Sequence, residues 1–409
     1  MDLLKVVDIE DAQAVLFQCL KEFSKDKICV NVPDSCGMIT YEDIHSTEDV
    51  PSFRRSAVDG YAVVSGDLGA ASESIPVFLN FTGSIKMGQS ADIKIKSGEC
   101  VYVPTGGAIP QGADAMVMIE YTDKIGDSKV SISQSVANGS HIIKQGEDSH
   151  KGDMIVSGGT KITPQIIGIL SACGYEQINV CKPLKIAVIS TGDELVSTGT
   201  VPKQGQIREV NTYAISAQAE KIGYEIVAHF VLADDRDRIR KHIEKLKEEV
   251  DIICTSGGSS KGEKDFTAGI INEAGEPGVI VHGISIKPGK PTIIGFDNKT
   301  KTIMAGLPGH PVSAFIIFEL LFGALNRKHT GQKLPLPYFA KISRNMPGSP
   351  GKTTCIPVKL TEIEDGYVAT PVFGKSGLIS TLSQADGYFI IDRNKEGVSE
   401  GEQVTVYTI

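Results

Sequence analysis

The sequence predicts an α/β domain joined to β-rich modules in one multidomain chain, and three observations carry that expectation. At 409 residues the chain exceeds what one small core needs, which predicts two to four domains, each with its own apolar interior. Between 185 and 326 the apolar runs KIAVIS, EIVAHFVL, DIICTS, TIIGF and TIMAGL alternate with helical stretches at 211–222, 235–249, 265–274 and 310–326. Such alternation describes a mostly parallel sheet covered by helices on both faces. Outside that segment, short alternating runs broken by Gly, Pro, Asp and Asn predict β structure.

From the N-terminus, residues 8–23 place Ile9, Ala12, Leu16, Leu20 and Phe23 on one helical stripe behind Asp8 as the cap. Residues 50–140 (VYVPTG, AMVMIEY, KVSIS) form the β-rich module. The segment 163–174 carries Thr163 as N-cap, Pro164 at the first helical position and Gly174 past the end, which predicts a short helix. After the Lys-Leu-Pro-Leu-Pro linker at 333–337, CIPVKL, GYVATPVF, GYFIIDR and EQVTVYTI predict a small C-terminal β-barrel or sandwich.

Composition narrows the function. With 41 basic and 50 acidic residues the net charge is −9, which argues against a broad nucleic-acid surface and leaves room for a local cationic pocket. Trp is absent and aromatics reach 6%, which disfavours base-stacking platforms. No run of about eighteen apolar residues appears, and acidic residues stand where a signal peptide would be basic. A soluble, cytoplasmic protein is expected. The eight cysteines contain no CxxC pair and read as reduced, mostly buried residues. Glycine, 43 residues, is the excess, and it predicts tight turns and backbone-lined sites.

In an open α/β sheet, ligands sit outside the carboxyl ends of the strands. Three successive runs end in acidic residues: Thr191-Gly192-Asp193-Glu194 after KIAVIS, Asp234-Asp235 after FVLA, and Ser256 to Asp265 after DIICT. Asp235 by itself reads as a helix N-cap. Recurrence along one sheet edge points to a shared site. Carboxylates beside the glycine-rich turn Ser256-Gly257-Gly258 would repel a phosphate, so a divalent cation between them, Mg2+, resolves the conflict. The turn has too few residues before Lys261 for a nucleotide P-loop and also reads as an ordinary strand-to-helix connection. Lys287-Pro288-Gly289-Lys290-Pro291 and Gly306 to Ser313 combine stiff proline with glycine, and the first adds paired lysines suited to an oxyanion. The alternative for the lysines is a rigid loop with cations in solvent. His310 reads as a helix-start residue. The Asp59-Gly60 turn, the Thr105 loop and Gly146-Glu147-Asp148 carry no assignment when taken alone.

Together and in order, SAVDGYAV, PTGGAIPQGADAMVMIE, GED, STGDELV, GQI with Asn211, SGG with Asp265, KPGKP, GLPGHPVSAF and SGLISTLSQADGY resemble the molybdopterin molybdenumtransferase family, the MoeA and gephyrin E-domain type. Ser259, Lys261 and His310 depart from the residues usual in that family. The resemblance implies an elongated homodimer of four-domain subunits. It divides the chain into a linker and dimerisation domain (1–49 and 141–180), an inserted β-rich domain (50–140), an α/β molybdopterin-binding domain (181–331) and a β-barrel (332–409). The active site would lie between the α/β domain of one subunit and the β-rich module of the other.

Carried over motif by motif, the resemblance implies catalytic roles for Asp59, Glu194, Asp234 and Asp265, with Asp59, Asp234 and Asp265 on Mg2+. Thr105, Asp148, Thr191, Gly192, Asp193, Ser256, Gly257, Gly258, Lys287, Lys290, Pro308, Pro311, Ser313 and Ser376 would line the pterin and oxyanion sites. The implied substrates are adenylylated molybdopterin and molybdate, with AMP released. Implied partners are a second copy, a molybdopterin adenylyltransferase and acceptor molybdoenzymes, without nucleic acid or membrane. A low-activity binding or scaffolding subunit and a molybdopterin adenylyltransferase are the alternatives. If Asp265 holds the metal, Asp265→Asn abolishes Mg2+-dependent AMP release while the thermal midpoint stays at the wild-type value; undiminished release removes the metal role.

Overall fold

A computed structural model describes residues 6–257 and 264–409, with the side chains of Lys264 and Asp265 excluded. Helix α1 (Ile9–Leu20) buries Ile9, Ala12, Leu16 and Cys19. Asp8 stands at its N-cap position without capping it, because the carboxylate pairs instead with Arg393 of the C-terminal domain. Strand β1 (Lys27–Asn31) pairs antiparallel with β8 (Gln177–Cys181), which follows helix α2 (Pro164–Ala172). Thr163 caps α2 by accepting from the amide of Ile166.

The β-rich module is a six-stranded sheet of β2 (Gly60–Val63), β3 (Val77–Ser84), β4 (Glu99–Val103), β5 (Ala115–Met118), β6 (Thr122–Ile125) and β7 (Lys129–Ile132), in the order β5-β2-β4-β3-β7-β6. It has its own apolar clusters, one around Leu79, Val117 and Ile132, another around Val101 and Met116.

The α/β domain follows in chain order as β9 (Lys185–Thr191), α3 (Asn211–Ile222), β10 (Glu225–Leu232), α4 (Arg236–Leu246), β11 (Ile252–Gly257), α5 (Lys264–Ala274), β12 (Pro277–His282), β13 (Ile293–Asp297), β14 (Thr302–Leu307) and α6 (Pro311–Phe318). Spatially the strands run β10-β9-β11-β14-β13-β12. The first four are parallel and the last two form an antiparallel edge. Ile186 to Ile189 and Ile252 to Cys254 are fully buried, as strands covered on both faces must be. One face packs on α1, α3 and α6 through Leu16, Ile215 and Phe318. The other packs on α4 and α5 through Ile239, Ile243 and Ile271. The helix expected over 310–326 continues through a π-helical turn (Glu319–Gly323) into α7 (Ala324–Thr330).

The last domain contains β15 (Tyr338–Ile342), β16 (Thr353–Ile363), β17 (Gly366–Pro371), β18 (Gly387–Ile391) and β19 (Gln403–Thr408). Their order β16-β17-β15-β19-β18 closes through a β16–β18 pairing into a five-stranded barrel. Ile286 and Lys287 pair with Thr353 and Thr354, so the lysine loop is stitched to the barrel. Among the described residues no helix is long and apolar enough to cross a membrane. All eight cysteines are free, and six are buried.

Among the described residues, the most buried ion pair of the α/β domain joins Lys247 to Asp297. Lys247 Nζ stands 3.2 Å from Asp297 Oδ2, with side chains 9% and 6% exposed. Burial pushes the Asp297 carboxyl up, yet bonds from Thr300, Lys247 and the amides of Glu276 and Lys299 overcome it and hold the group down at about 2. Its stabilisation is therefore full above the unfolded value near 4 and is lost as pH falls through about 2. Asp297→Asn removes one of two carboxylates on Lys247, which keeps Glu244 at 3.1 Å, and is expected to cost about 2 kcal/mol at neutral pH. Urea melts of both proteins check this: the wild-type advantage should shrink between pH 4 and pH 2 (about, from the same reference values), and a difference constant with pH opposes it.

Candidate active site

Among the parallel strands, chain order and spatial order reverse at β9. From β9 the chain places β10 on one side and then β11 on the other. Connections leave this pair in opposite directions, so a crevice opens outside their carboxyl ends. Gly257, the last residue of β11, sits at φ +122°, and an added Cβ would lie 2.1 Å from the carbonyl oxygen of Thr191 at the end of β9. Only glycine permits this approach.

The crevice is a cavity of about 280 Å3. Thr191, Glu194, Glu209, Asn211, Ser256 and Gly257 line one side, and His310, Pro311, Gly377 and Ile379 complete it. The barrel thus supplies part of the wall. A larger cavity of about 450 Å3 lies between α3 and the last residues of the chain, but none of the predicted site residues lines it.

The N-cap position of helix α3 is Val210, whose apolar side chain cannot cap. The carboxylate of Glu209 does so in its place, accepting from the amide of Thr212 at 2.7 Å and from the Ser190 hydroxyl at 2.7 Å. Thr212 Oγ1 donates to Ser190 Oγ at 2.6 Å and completes a buried triad. Asn211, next in sequence, donates from Nδ2 to Ser256 Oγ at 2.8 Å and to the carbonyl of Gly309 at 2.7 Å. Ser256 Oγ donates onward to the carbonyl of Pro308 at 3.2 Å. One amide therefore ties α3 to the loops after β11 and β14.

Most residues predicted at the sheet edge come together. Thr191 is buried, and Gly192 donates its amide to the carbonyl of Leu232 across the β9–β10 ends. Asp193 accepts from the amide of Asp234 at 3.2 Å, joining two of the acidic strand ends. Glu194 lines the cavity and is exposed. Asp235 caps α4 by accepting from the amide of Arg238, the local role expected of it alone. Pro308 and Ser313 are buried, and Pro311 opens α6. Ser376 reaches from the barrel: its Oγ bonds His310 Nδ1 at 2.7 Å, and its carbonyl accepts from the amide of Val312 at 3.1 Å. Gly258 and the side chain of Asp265 lie outside the described residues.

Others stand elsewhere. Lys287 and Lys290 are exposed on the loop paired with the barrel and are not among the described residues lining the cavity. Asp59 accepts from the amide of Thr105 at 2.8 Å, so these two meet on the β-rich module, where both are exposed. Asp148 is exposed in the segment that returns from that module. Within one chain Asp59 and Thr105 flank strands of the β-rich sheet, whereas Glu194 and Asp234 follow strands of the α/β sheet.

Among the described residues no group of three or more His, Cys, Asp or Glu side chains is placed to hold a metal. The donor chemistry at the sheet edge still suits Mg2+, because Asp193, Glu194 and Asp234 offer only hard oxygen and this ion is commonly held by one or two carboxylates plus substrate phosphates. Cys254 in β11 is buried, and burial pushes its thiol far up, which disfavours this residue as a nucleophile. Sequence reasoning assigned no role to Glu209 and treated Ser190 and Asn211 only as parts of motifs. The available signal was an acidic residue just before a helix whose own cap position is apolar.

Three family models match the chain: the MoeA N-terminal region, domains I and II, over residues 7–174; a probable molybdopterin binding domain over 187–327; and the MoeA C-terminal region, domain IV, over 340–409. A putative molybdopterin biosynthesis protein of Methanocaldococcus jannaschii is 31% identical, covering 100% of both chains. A molybdopterin molybdenumtransferase of Haemophilus influenzae is 32% identical over 92% of each. A crystal structure of a molybdopterin biosynthesis MoeA protein from Pyrococcus horikoshii OT3 superposes with a TM-score of 0.81 at 30% identity, covering 99% of this chain and 100% of that one.

The close approach of β9 and β11 yields a direct expectation. Gly257→Ala introduces both an unfavourable φ and a backbone clash, costing about 2–4 kcal/mol and spreading the crevice. A thermal midpoint within a degree or so of wild type would show that the strand ends do not need this contact.

Proposed function

The chain belongs to the MoeA family of molybdenum cofactor biosynthesis enzymes, and from that premise we propose that it transfers molybdenum from molybdate to adenylylated molybdopterin, releasing AMP. The observation that carries this reading is the cavity at the β9–β11 reversal, whose walls contain Thr191, Glu194, Ser256 and Gly257 from the motifs that the family resemblance singled out. Family models along nearly the whole chain support it.

Both substrates are anions, so they must be held together against their own repulsion. Mg2+, when bound by the strand-end carboxylates, neutralises phosphate and molybdate oxygens. Asp234, fixed through its backbone to Asp193, and Glu194 hold the acidic end of the cleft. Asp265, on the helix after β11, is assigned to the same end by the family motif. The exposed Lys287 and Lys290 attract molybdate through the field they add to an otherwise acidic protein. Pro308, Pro311 and Ser313 keep the start of α6 rigid beside the cleft, and Ser376 fastens the barrel to it.

Asp59 and Thr105 of the β-rich module and Asp148 of the segment that follows it join this constellation from a second copy. A symmetric dimer with two shared sites follows. An adenylyltransferase acting upstream and molybdoenzymes that accept the product are the partners this chemistry requires.

Incubation with adenylylated molybdopterin, molybdate and Mg2+ tests the reaction: molybdenum insertion with AMP release supports the transferase, binding without turnover supports a scaffold, and ATP-dependent adenylylation of the pterin supports the adenylyltransferase. The shared site has its own test. Asp59→Asn and Glu194→Gln should each be inactive alone, and mixed subunits should recover about a quarter of wild-type activity by random assortment. No recovery in confirmed mixed dimers opposes a site built from two subunits.

A further inference from the structure

We propose that Glu209 orients the substrate in the cleft, one carboxylate oxygen withdrawing the N-terminus of α3 from oxyanions and the other accepting from the donor edge of the substrate's 2-amino-4-oxo pyrimidine ring. The inference rests on the transferase reading, because it assigns one pole of that same cleft.

Glu209 is 2% exposed, yet it lines the cavity. Oε1 takes two donors, the Ser190 hydroxyl and the Thr212 amide. Oε2 is buried with no hydrogen-bond partner among the described residues. A carboxylate oxygen removed from water without a donor is costly, so a donor is expected, and the cavity that Glu209 lines is the side from which one can arrive.

Charge gives the direction. The start of a twelve-residue helix would ordinarily seat a phosphate or molybdate, but here an internal carboxylate already occupies it. Glu194 lies in the walls of the same cavity. The one arginine there, Arg208, turns its Nε to the carbonyls of Thr198 and Thr200. His310 belongs to the other side and is engaged by Ser376. The α3 end of the cleft is thus acidic and hydrogen-bond accepting. An aminopyrimidinone presents an amino group beside a ring N–H on one edge, and that amino group supplies the charge-assisted donor that Oε2 lacks. With that edge at Glu209, the phosphate-bearing end points away from both glutamates.

The experiment compares two probes on the full-length protein, 6-hydroxymethylpterin and 6-hydroxymethyllumazine, the second carrying oxygen in place of the 2-amino group, below the pH at which either ring ionises. Wild type should bind the pterin about tenfold or more tightly than the lumazine, the size of one hydrogen bond to a charged group. Glu209→Gln should reduce that preference to about twofold and bind inorganic molybdate several-fold more tightly, because the repelling charge is gone. A merely structural role predicts no gain in molybdate binding. Equal binding of the probes by wild type overturns the proposal without needing any variant, as does an unchanged preference in Glu209→Gln. Failure of the two readings is distinguishable: probe discrimination without AMP release keeps this pole and loses the transferase, whereas AMP release without discrimination does the reverse.

Discussion

The cleft depends on how closely two strand ends approach. Gly257 brings β11 against the carbonyl of Thr191 at a separation no side chain tolerates, and the switch in strand order directs the next connections apart at that point. A crevice is the necessary result. The rest of the site is built on the loops that this contact aligns: Gly192 to Glu194 after β9, Asp234 after β10, and Pro308 to Pro311 after β14.

Those loops are held by polar groups sunk below the surface. Glu209, Ser190 and Thr212 form a buried triad whose bonds run between β9 and α3, and Asn211 extends the network to Ser256 and Gly309. Buried polar networks of this kind fix one geometry when their members are satisfied, and an unsatisfied atom within one is informative for the same reason. Here that atom, Glu209 Oε2, lies in a residue that lines the cavity.

The barrel completes the cleft without sharing its sheet. The barrel enters through Ser376, bonded to His310 and to the start of α6, and through the pairing of Lys287 with β16. His310, a departure from the family's usual residue, therefore has a defined role as an interdomain contact at the rim. The β-rich module keeps Asp59 and Thr105 together on its own surface, a pair with local geometry and no α/β partner in the same sheet.

The sequence by itself determined what depends on short-range regularity: the alternation of buried strands and helices, the cap at Thr163, the β texture of the flanking modules and the acidic strand ends. Period and turn chemistry are local properties, readable a few residues at a time. The nine ordered motifs carried the family in the same way. Tertiary structure alone decided that Asp8 would serve Arg393 instead of its helix, since the barrel arrives hundreds of residues later. It alone placed Glu209 beneath the cleft, because burial of a charged side chain follows from which neighbours can donate to it, and Ser190 lies one strand away. It also set Asp59 just before a strand of the β-rich sheet and Glu194 just after a strand of the α/β sheet, for motifs are ordered along the chain while chemistry requires proximity in space.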